Sequence, residues 1–443
     1  MADLALPVAQ RQQSRIAVAV RSSRPWFAKA FFAIVDQGLI SGSNFALGIL
    51  LARWLGAEEY GAYAMAFAIF VLLSLVYQSL LLEPMSVFGP SAYRDKLRGY
   101  TGTLIWIHVA IAFATFLLLG AGALGLAHFP RFGGLPSALI GASIAAPCVL
   151  LFWLARRAHY LKLASSQAAV GAVLYSVLLF GSLAILHTVH MMSPLLAFVI
   201  MALAALVTSG YLLARFRPIF RWKNADPSLK QVSRESWRYG QWALASSVFM
   251  WVPWNIFYTL VASFSGLAHS GELRALLNFA LPVAQTYAAF SLLFLPHAAS
   301  TNEDKGWNAV RRDSQRITML FVLGGVVYWA GICFFRTKLI GLLYAGQYAN
   351  VAHLLPWVGL ASIFWGAAQG PALALRARKT PSSVFVMYLV SAMVAVIVGI
   401  PSTVKYGLPG AVAAMLLASA AAWITGVLRL SKSPALVEVQ QAA

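Results

Sequence analysis

Two carboxylates, Asp36 and Glu83, lie inside long apolar runs of a 443-residue chain in which 60% of residues are hydrophobic and only 10% are charged. A charge so placed costs a few kcal/mol on insertion scales, and it therefore faces a partner, an ion or a wetted cleft rather than lipid. Asp36 follows Lys29 by about two helical turns, roughly 10 Å. Glu83 sits near the same end of the next run, so the two acids are expected at one depth. Close carboxylates raise one another's affinity for a proton, which is the chemistry needed to exchange a proton or cation near neutral pH. The plainer reading gives each acid a structural hydrogen bond or salt bridge, with Lys29 as the partner of Asp36.

Neutral polar groups form stripes on other runs. Ser43 and Asn44 share the helix face of Asp36. Ser247, Trp251, Trp254 and Tyr258 line up on a later segment with Asn255 beside them, and Arg274, Asn278, Pro282 and Gln285 on the next. Amides and aromatic faces suit the hydroxyls and C–H faces of sugars, and Gln78 adds one more amide. Arginine forks match phosphate oxygens; Arg53, Arg238 and Arg274 are the candidates, with Lys29. Arg53 is equally accounted for by a pair with Glu58 or Glu59. For the aromatics, interface anchoring and lobe filling compete with ligand contact.

His187 and His190 are too sparse for a metal site, and Cys148 and Cys333 make no disulfide framework. The chain has no Walker A loop, HExxH or Gly-x-Ser-x-Gly elbow. The expectation is a non-enzyme without a resident cofactor or metal, and without ATP chemistry of its own.

The elements that must position these residues are membrane helices. Twelve apolar runs, each near the roughly 20 residues that span a bilayer, cover about 30–52, 62–86, 101–126, 136–155, 167–187 and 193–214, then 239–263, 273–297, 317–334, 352–375, 383–402 and 409–430. Of the 33 Lys and Arg, 27 fall on the loops sharing a side with the N-terminus and 6 on the other. Short basic loops stay in the cytoplasm, so both termini are assigned inside. The net charge of +20 is thus explained by lipid headgroups, and no nucleic-acid partner is expected. Residues 1–29 read as a disordered cytoplasmic tail, 30–214 and 239–430 as two six-helix lobes, 215–238 as a cytoplasmic linker and 431–443 as a cytoplasmic C-terminal tail.

The lobes echo each other at an offset of about 210 residues. Gly56 and Gly61 recur as Gly266 and Gly271, Glu83-Pro84 as Leu295-Pro296, and Trp26 as Trp237. An even number of helices per lobe relates the two by a pseudo-two-fold along the membrane normal. Transporters built this way bind near the midplane between lobes and alternate access by rocking.

Three stretches carry a family resemblance: Ala52-Arg53-Trp54-Leu55-Gly56-Ala57-Glu58-Glu59-Tyr60-Gly61, Leu342-Leu343-Tyr344-Ala345-Gly346-Gln347-Tyr348 with its continuation to Gln369 and Arg376–Lys379, and Gly407-Leu408-Pro409-Gly410-Ala411-Val412. In this order they resemble Wzx-type polysaccharide flippases of the multidrug/oligosaccharidyl-lipid/polysaccharide exporter superfamily. The resemblance covers nearly the whole chain. It implies a V-shaped, MATE-like pair of lobes in the bacterial inner membrane. The implied cargo is an undecaprenyl-diphosphate-linked oligosaccharide, moved to the periplasmic leaflet for surface polysaccharide and coupled to protons or sodium. A polysaccharide polymerase and a chain-length regulator are the implied partners. A multidrug antiporter of the same superfamily is the alternative.

Overall fold

The computed structural model describes residues 8–129, 132–220, 227–287, 306–378 and 381–431, with positions 290, 294, 298 and 301 between; side chains are described from Phe31 onward, except at 242 and 381. Expectations for the side chain of Lys29, for Arg131, Leu295, Pro296 and Lys379, and for residues 432–443 lie outside the described residues.

Every described regular element is helical. The first half holds α1 (Val8–Trp54), α2 (Ala57–Tyr77), α3 (Glu83–Phe88), α4 (Leu97–Leu126), α5 (Leu135–Leu161), α6 (Ser165–Thr188) and α7 (Pro194–Phe216). The second holds α8 (Leu229–Ser265), α9 (Leu267–Asn278), α10 (Trp307–Phe334), α11 (Arg336–Tyr344), α12 (Leu355–Ala377), α13 (Pro381–Ile397) and α14 (Gly399–Ser431). Among the described residues ten helices are long and apolar enough to cross a membrane, and Ser382–Ile397 is a shorter apolar one. Phe113, Val177, Val327 and Phe334 stand exposed on outer faces, as lipid-facing side chains do.

Several boundaries differ from the sequence reading for local reasons. The tail expected to be disordered is helix from Val8 onward. The linker is shorter than 215–238, because Ser228 caps α8 by accepting the Gln231 N–H at 3.3 Å and the helix starts at Leu229. The eighth run, expected as one helix over 273–297, starts at Leu267 and breaks into a turn at Phe279–Ala280 before helix resumes over 281–287. Pro282 has no N–H to give the Asn278 carbonyl, and its ring crowds the preceding turn. Pro84 acts similarly on the second run. Helix loosens into a π turn over Gln78–Leu82, with the Glu83 N–H reaching back to the Gln78 carbonyl. In α14, Gly407 takes φ 60°, ψ −136°, a conformation that favours glycine, and the helix restarts through Pro409.

Helix contacts follow one order in both halves. α5 packs on α4 and α7, and α12 packs on α10 and α14; α1 lies on α6, and α8 on α13. Small residues permit these approaches: Gly141 abuts the Leu195 carbonyl, and Gly102 the Ile219 carbonyl. The halves meet where α2 lies against α8 and α9, so any site between them is lined by these three helices and by α1.

Candidate functional site

The contact between the halves has two ends built from different chemistry. One end is formed by the beginning of α2, the end of α1, α9 and the stretch after α11. Gly61 and Gly271 meet there reciprocally. A methyl group at Gly61 would overlap the carbonyl oxygen of Leu267, and one at Gly271 the carbonyl of Ala57. Behind this crossing, the buried Asn278 amide donates to Tyr60 Oη at 2.9 Å and to Tyr344 Oη at 3.4 Å, while Tyr344 Oη donates to the Ala275 carbonyl at 2.9 Å. Asn278 also presses on Gly48 of α1. Tyr348 stacks at a tilt 6.3 Å from Tyr60. Burial pushes the Tyr344 and Tyr348 phenols well up, so both stay protonated and neutral.

Arg53 belongs to this end. Its guanidinium donates to the Leu342 carbonyl at 3.4 Å, and its own carbonyl accepts from Gln347 Nε2 at 3.2 Å. The expected pair with Glu58 or Glu59 is replaced by this brace across the halves. Two of the three resembling stretches, 52–61 and 342–348, therefore form one structural unit.

Just inside lies Arg274, 9% exposed and 4.8 Å above the Phe67 ring. Its Nη1 donates to Tyr258 Oη at 3.4 Å, and its Nε has no acceptor. No carboxylate pairs with it among the described residues. Arg274, Asn278 and Tyr258 thus converge as the stripes predict. Trp254 lies half-buried, edge-on to Trp365 at 6.0 Å. Asn255 spends its amide on the Trp251 carbonyl at 3.1 Å, one turn back on its own helix. Asn44, Gln78, Arg238 and Gln285 are exposed and do not join this cluster.

At the other end the chemistry is ionic. Asp36 is fully buried and held by a fork: Arg156 Nε donates to Oδ1 at 3.0 Å and Nη2 to Oδ2 at 2.5 Å, while Tyr160 Oη donates to Oδ2 at 2.5 Å. Arg157, the next residue on α5, donates to Ser86 Oγ at 3.2 Å. The cations acting on Glu83 are Arg157 and, from the second half, Arg376. Asp36 thus pairs with the Arg156 guanidinium, the structural salt bridge of the plainer reading with Arg156 in the place of Lys29. Arg156 and Arg157 were read as loop charges because the fourth run was ended at residue 155. The helix carries on through Ala158, His159, Tyr160 and Leu161, a stretch whose two ring side chains hid it from a reading by apolar runs.

The halves are also joined here. Tyr93 Oη donates to Glu235 Oε2 at 2.6 Å, and Gln231 Nε2 bonds both Tyr93 and Glu235. A methyl group at Gly240 would strike the Ser79 carbonyl inside the π turn. His187, weighed as a metal ligand, instead stacks on Trp54 at 4.3 Å. No cluster of three metal-binding side chains occurs among the described residues.

The described elements are all helical, and ten of the described helices are long and apolar enough to cross a membrane. The fold is MATE-like. An inward-facing multidrug resistance MATE family transporter of the MOP superfamily overlays with TM-score 0.74 at 13% identity, covering 91% of this chain and 100% of the other. An outward-facing transporter of that family gives 0.62 at 13% identity, with 91% and 94% covered. The lipid II flippase MurJ in an inward closed conformation gives 0.65 at 13% identity, with 92% and 88% covered. No protein of curated function matches the chain in sequence. Residues 27–296 match the family described as polysaccharide biosynthesis protein, and the chain belongs to that family.

Proposed function

We propose that this protein is a flippase that carries an undecaprenyl-diphosphate-linked oligosaccharide from the cytoplasmic to the periplasmic leaflet of the inner membrane. Family membership carries the reading. The cleft supports it: an arginine buried without a carboxylate suits a diphosphate and repels the cationic compounds that an antiporter would expel.

The reading includes twelve spans, the ten long helices plus Ser382–Ile397 and the broken eighth segment. It includes two lobes related by a pseudo-two-fold. The recurring order of helix contacts supports that relation, as do the reciprocal contacts Gly61–Leu267 and Gly271–Ala57, whose partners differ by the repeat offset. With basic loops in the cytoplasm, the Gly61–Gly271 end faces the periplasm and is shut. The closer overlay on the inward-facing transporter agrees with a cleft open to the cytoplasm.

In this mechanism the diphosphate is drawn to Arg157, Arg238 and Arg376 at the mouth and moves inward to Arg274. Gln78, Asn44, Gln285, Trp254 and Asn255 meet the sugars, and the polyprenyl tail stays in lipid. Protonation of Asp36, or a cation in place of Arg156, loosens α1 from α5 and couples the swing of the first lobe to ion influx.

The test is reconstitution of the full chain in proteoliposomes with a fluorescent lipid-linked oligosaccharide. Loss of dithionite-protected signal faster than in empty vesicles is expected, and Asp36→Asn should abolish it in folded protein. Unchanged leaflet exchange with the wild type overturns the reading. Uptake of cationic dyes without exchange favours the antiporter.

A further inference from the structure

A half-open pocket lies at the Gly61–Gly271 end. It offers about 290 Å³ between the α8–α9 junction, the turn Ala349–Leu354 and the Gly407 kink of α14. Small-molecule sites run from roughly 300 to 1,000 Å³, so this one fits a single sugar ring rather than a whole repeat unit.

Its polar atoms form an acceptor-rich set. Glu272 Oε1 accepts from Asn350 Nδ2 at 2.7 Å, but Glu272 Oε2 is buried without a donor, and the imidazole of His269 stands 4.0 Å from it. His353 Nδ1 donates to the Asn350 carbonyl at 2.9 Å, which leaves Nε2 of the neutral ring as an acceptor. Ser265 adds a hydroxyl. Tyr406 is 60% exposed on the rim and brings an aromatic ring, over which Lys405 Nζ stands 5.1 Å from the centroid. A buried carboxylate oxygen without a donor costs free energy that a ligand hydroxyl recovers. Acceptors around one aromatic face are the complement of a pyranose, with hydroxyl donors at its edge and C–H bonds on its faces.

The cavity adjoins the closed end. Glu272 follows Gly271, and Asn350 lies two residues beyond Tyr348, so the Glu272–Asn350 bond ties together two elements that close the cleft. We propose that this cavity is an exit-side subsite for one sugar residue of the cargo, held by the Glu272 carboxylate and stacked on Tyr406. It rests on the flippase reading for the identity of the cargo. A sugar there retains the emerging headgroup on the far side while the polyprenyl tail completes its turn.

The experiment is saturation-transfer NMR on the full chain in lipid nanodiscs, with methyl glycosides of glucose, galactose, rhamnose and N-acetylglucosamine as probes. At least one probe should receive saturation, weakened about fivefold or more by Glu272→Gln and by Tyr406→Leu. Glu272→Gln keeps an acceptor for Asn350, so its thermal unfolding midpoint should match the wild type. Transfer indifferent to both variants overturns the subsite. So does sodium binding that is lost in Glu272→Gln while no glycoside binds, since that marks a cation site. Leaflet exchange without glycoside binding removes the subsite alone. Glycoside binding without leaflet exchange removes the flippase reading alone.

Discussion

The two ends of the cleft are closed by opposite means. At the Gly61–Gly271 end the halves meet through glycine backbone, neutral phenols and the amides of Asn278 and Gln347, with the guanidinium of Arg53 on the outside. At the arginine end, the buried contact is the charge pair Asp36–Arg156 within the first half, and the halves are joined by Tyr93, Gln231 and Glu235. Neutral hydrogen bonds contribute only about 1 kcal/mol net each and re-form with water when they part. Separating a buried ion pair costs several kcal/mol. On the proposed flippase reading each end opens in turn, and the neutral hydrogen bonds across one end part at smaller cost than the charge-assisted Tyr93–Glu235 bond across the other. The buried Asp36–Arg156 pair ties α1 to α5 within the first half.

The contrast breaks most sharply at Arg156. Arg156→Ala leaves Asp36 buried with Tyr160 alone, and should cost about 3–5 kcal/mol, read as a fall in the thermal unfolding midpoint of the purified protein. Replacing both partners, Asp36→Leu with Arg156→Met, should restore most of that stability, because the uncompensated charge is gone. Leaflet exchange should stay absent. Recovery of exchange in the double variant would make the pair a mere strut and remove ion coupling from this place.

Gly61 tests the neutral end. Gly61→Leu places a side chain where the Leu267 carbonyl stands, and backbone has little room to yield. An overpacking cost of about 2–3 kcal/mol falls on the closed state alone and shifts the conformer ratio by roughly 30- to 150-fold towards opening. Spin labels at Glu59 and Lys338, in a background with Cys148 and Cys333 replaced by Ala, should report a longer distance. Gly271→Leu should act alike, since it meets the Ala57 carbonyl. An unchanged distance in both would show that this crossing does not part.

How much of this could be read from the sequence depends on how local the cause is. Ten of the twelve expected spans match long apolar helices among the described residues, because hydrophobic runs of bilayer length answer to a single solvent. The glycines at 61 and 271 were visible as a repeat, yet their meeting with each other was not, because it depends on how the halves dock. Asp36 was found by its rarity in an apolar run. Its partner was missed because Arg156 looked like a loop charge, and only a helix extended to Leu161 turns it inward. Tyr60, Tyr344 and Tyr348 were quoted as family marks and given no role. A tyrosine in an apolar run carries no sign of which carbonyl or amide its hydroxyl will meet. The acceptor cavity at Glu272 was likewise hidden, since Ser265, Glu272, Asn350 and Tyr406 come from three separate segments.

The smallest expected effect separates two roles for Arg53. Read from sequence, it was a candidate phosphate clamp equally accounted for by a pair with Glu58 or Glu59; in the structure it is exposed and braces Leu342 through one bond of 3.4 Å. An exposed hydrogen bond of that length is worth at most about 0.5 kcal/mol, so Arg53→Ala should shift the gate-opening ratio less than about threefold and leave the unfolding midpoint in place. Leaflet exchange should fall by a similar factor, since the Gln347 bond to the Arg53 carbonyl survives the substitution. A loss of exchange beyond about tenfold, with the Glu59–Lys338 distance unchanged, would mean that Arg53 touches cargo as well as the Leu342 carbonyl. The neutral end would then carry a charge that works, and the division between the two ends would have to be redrawn around it.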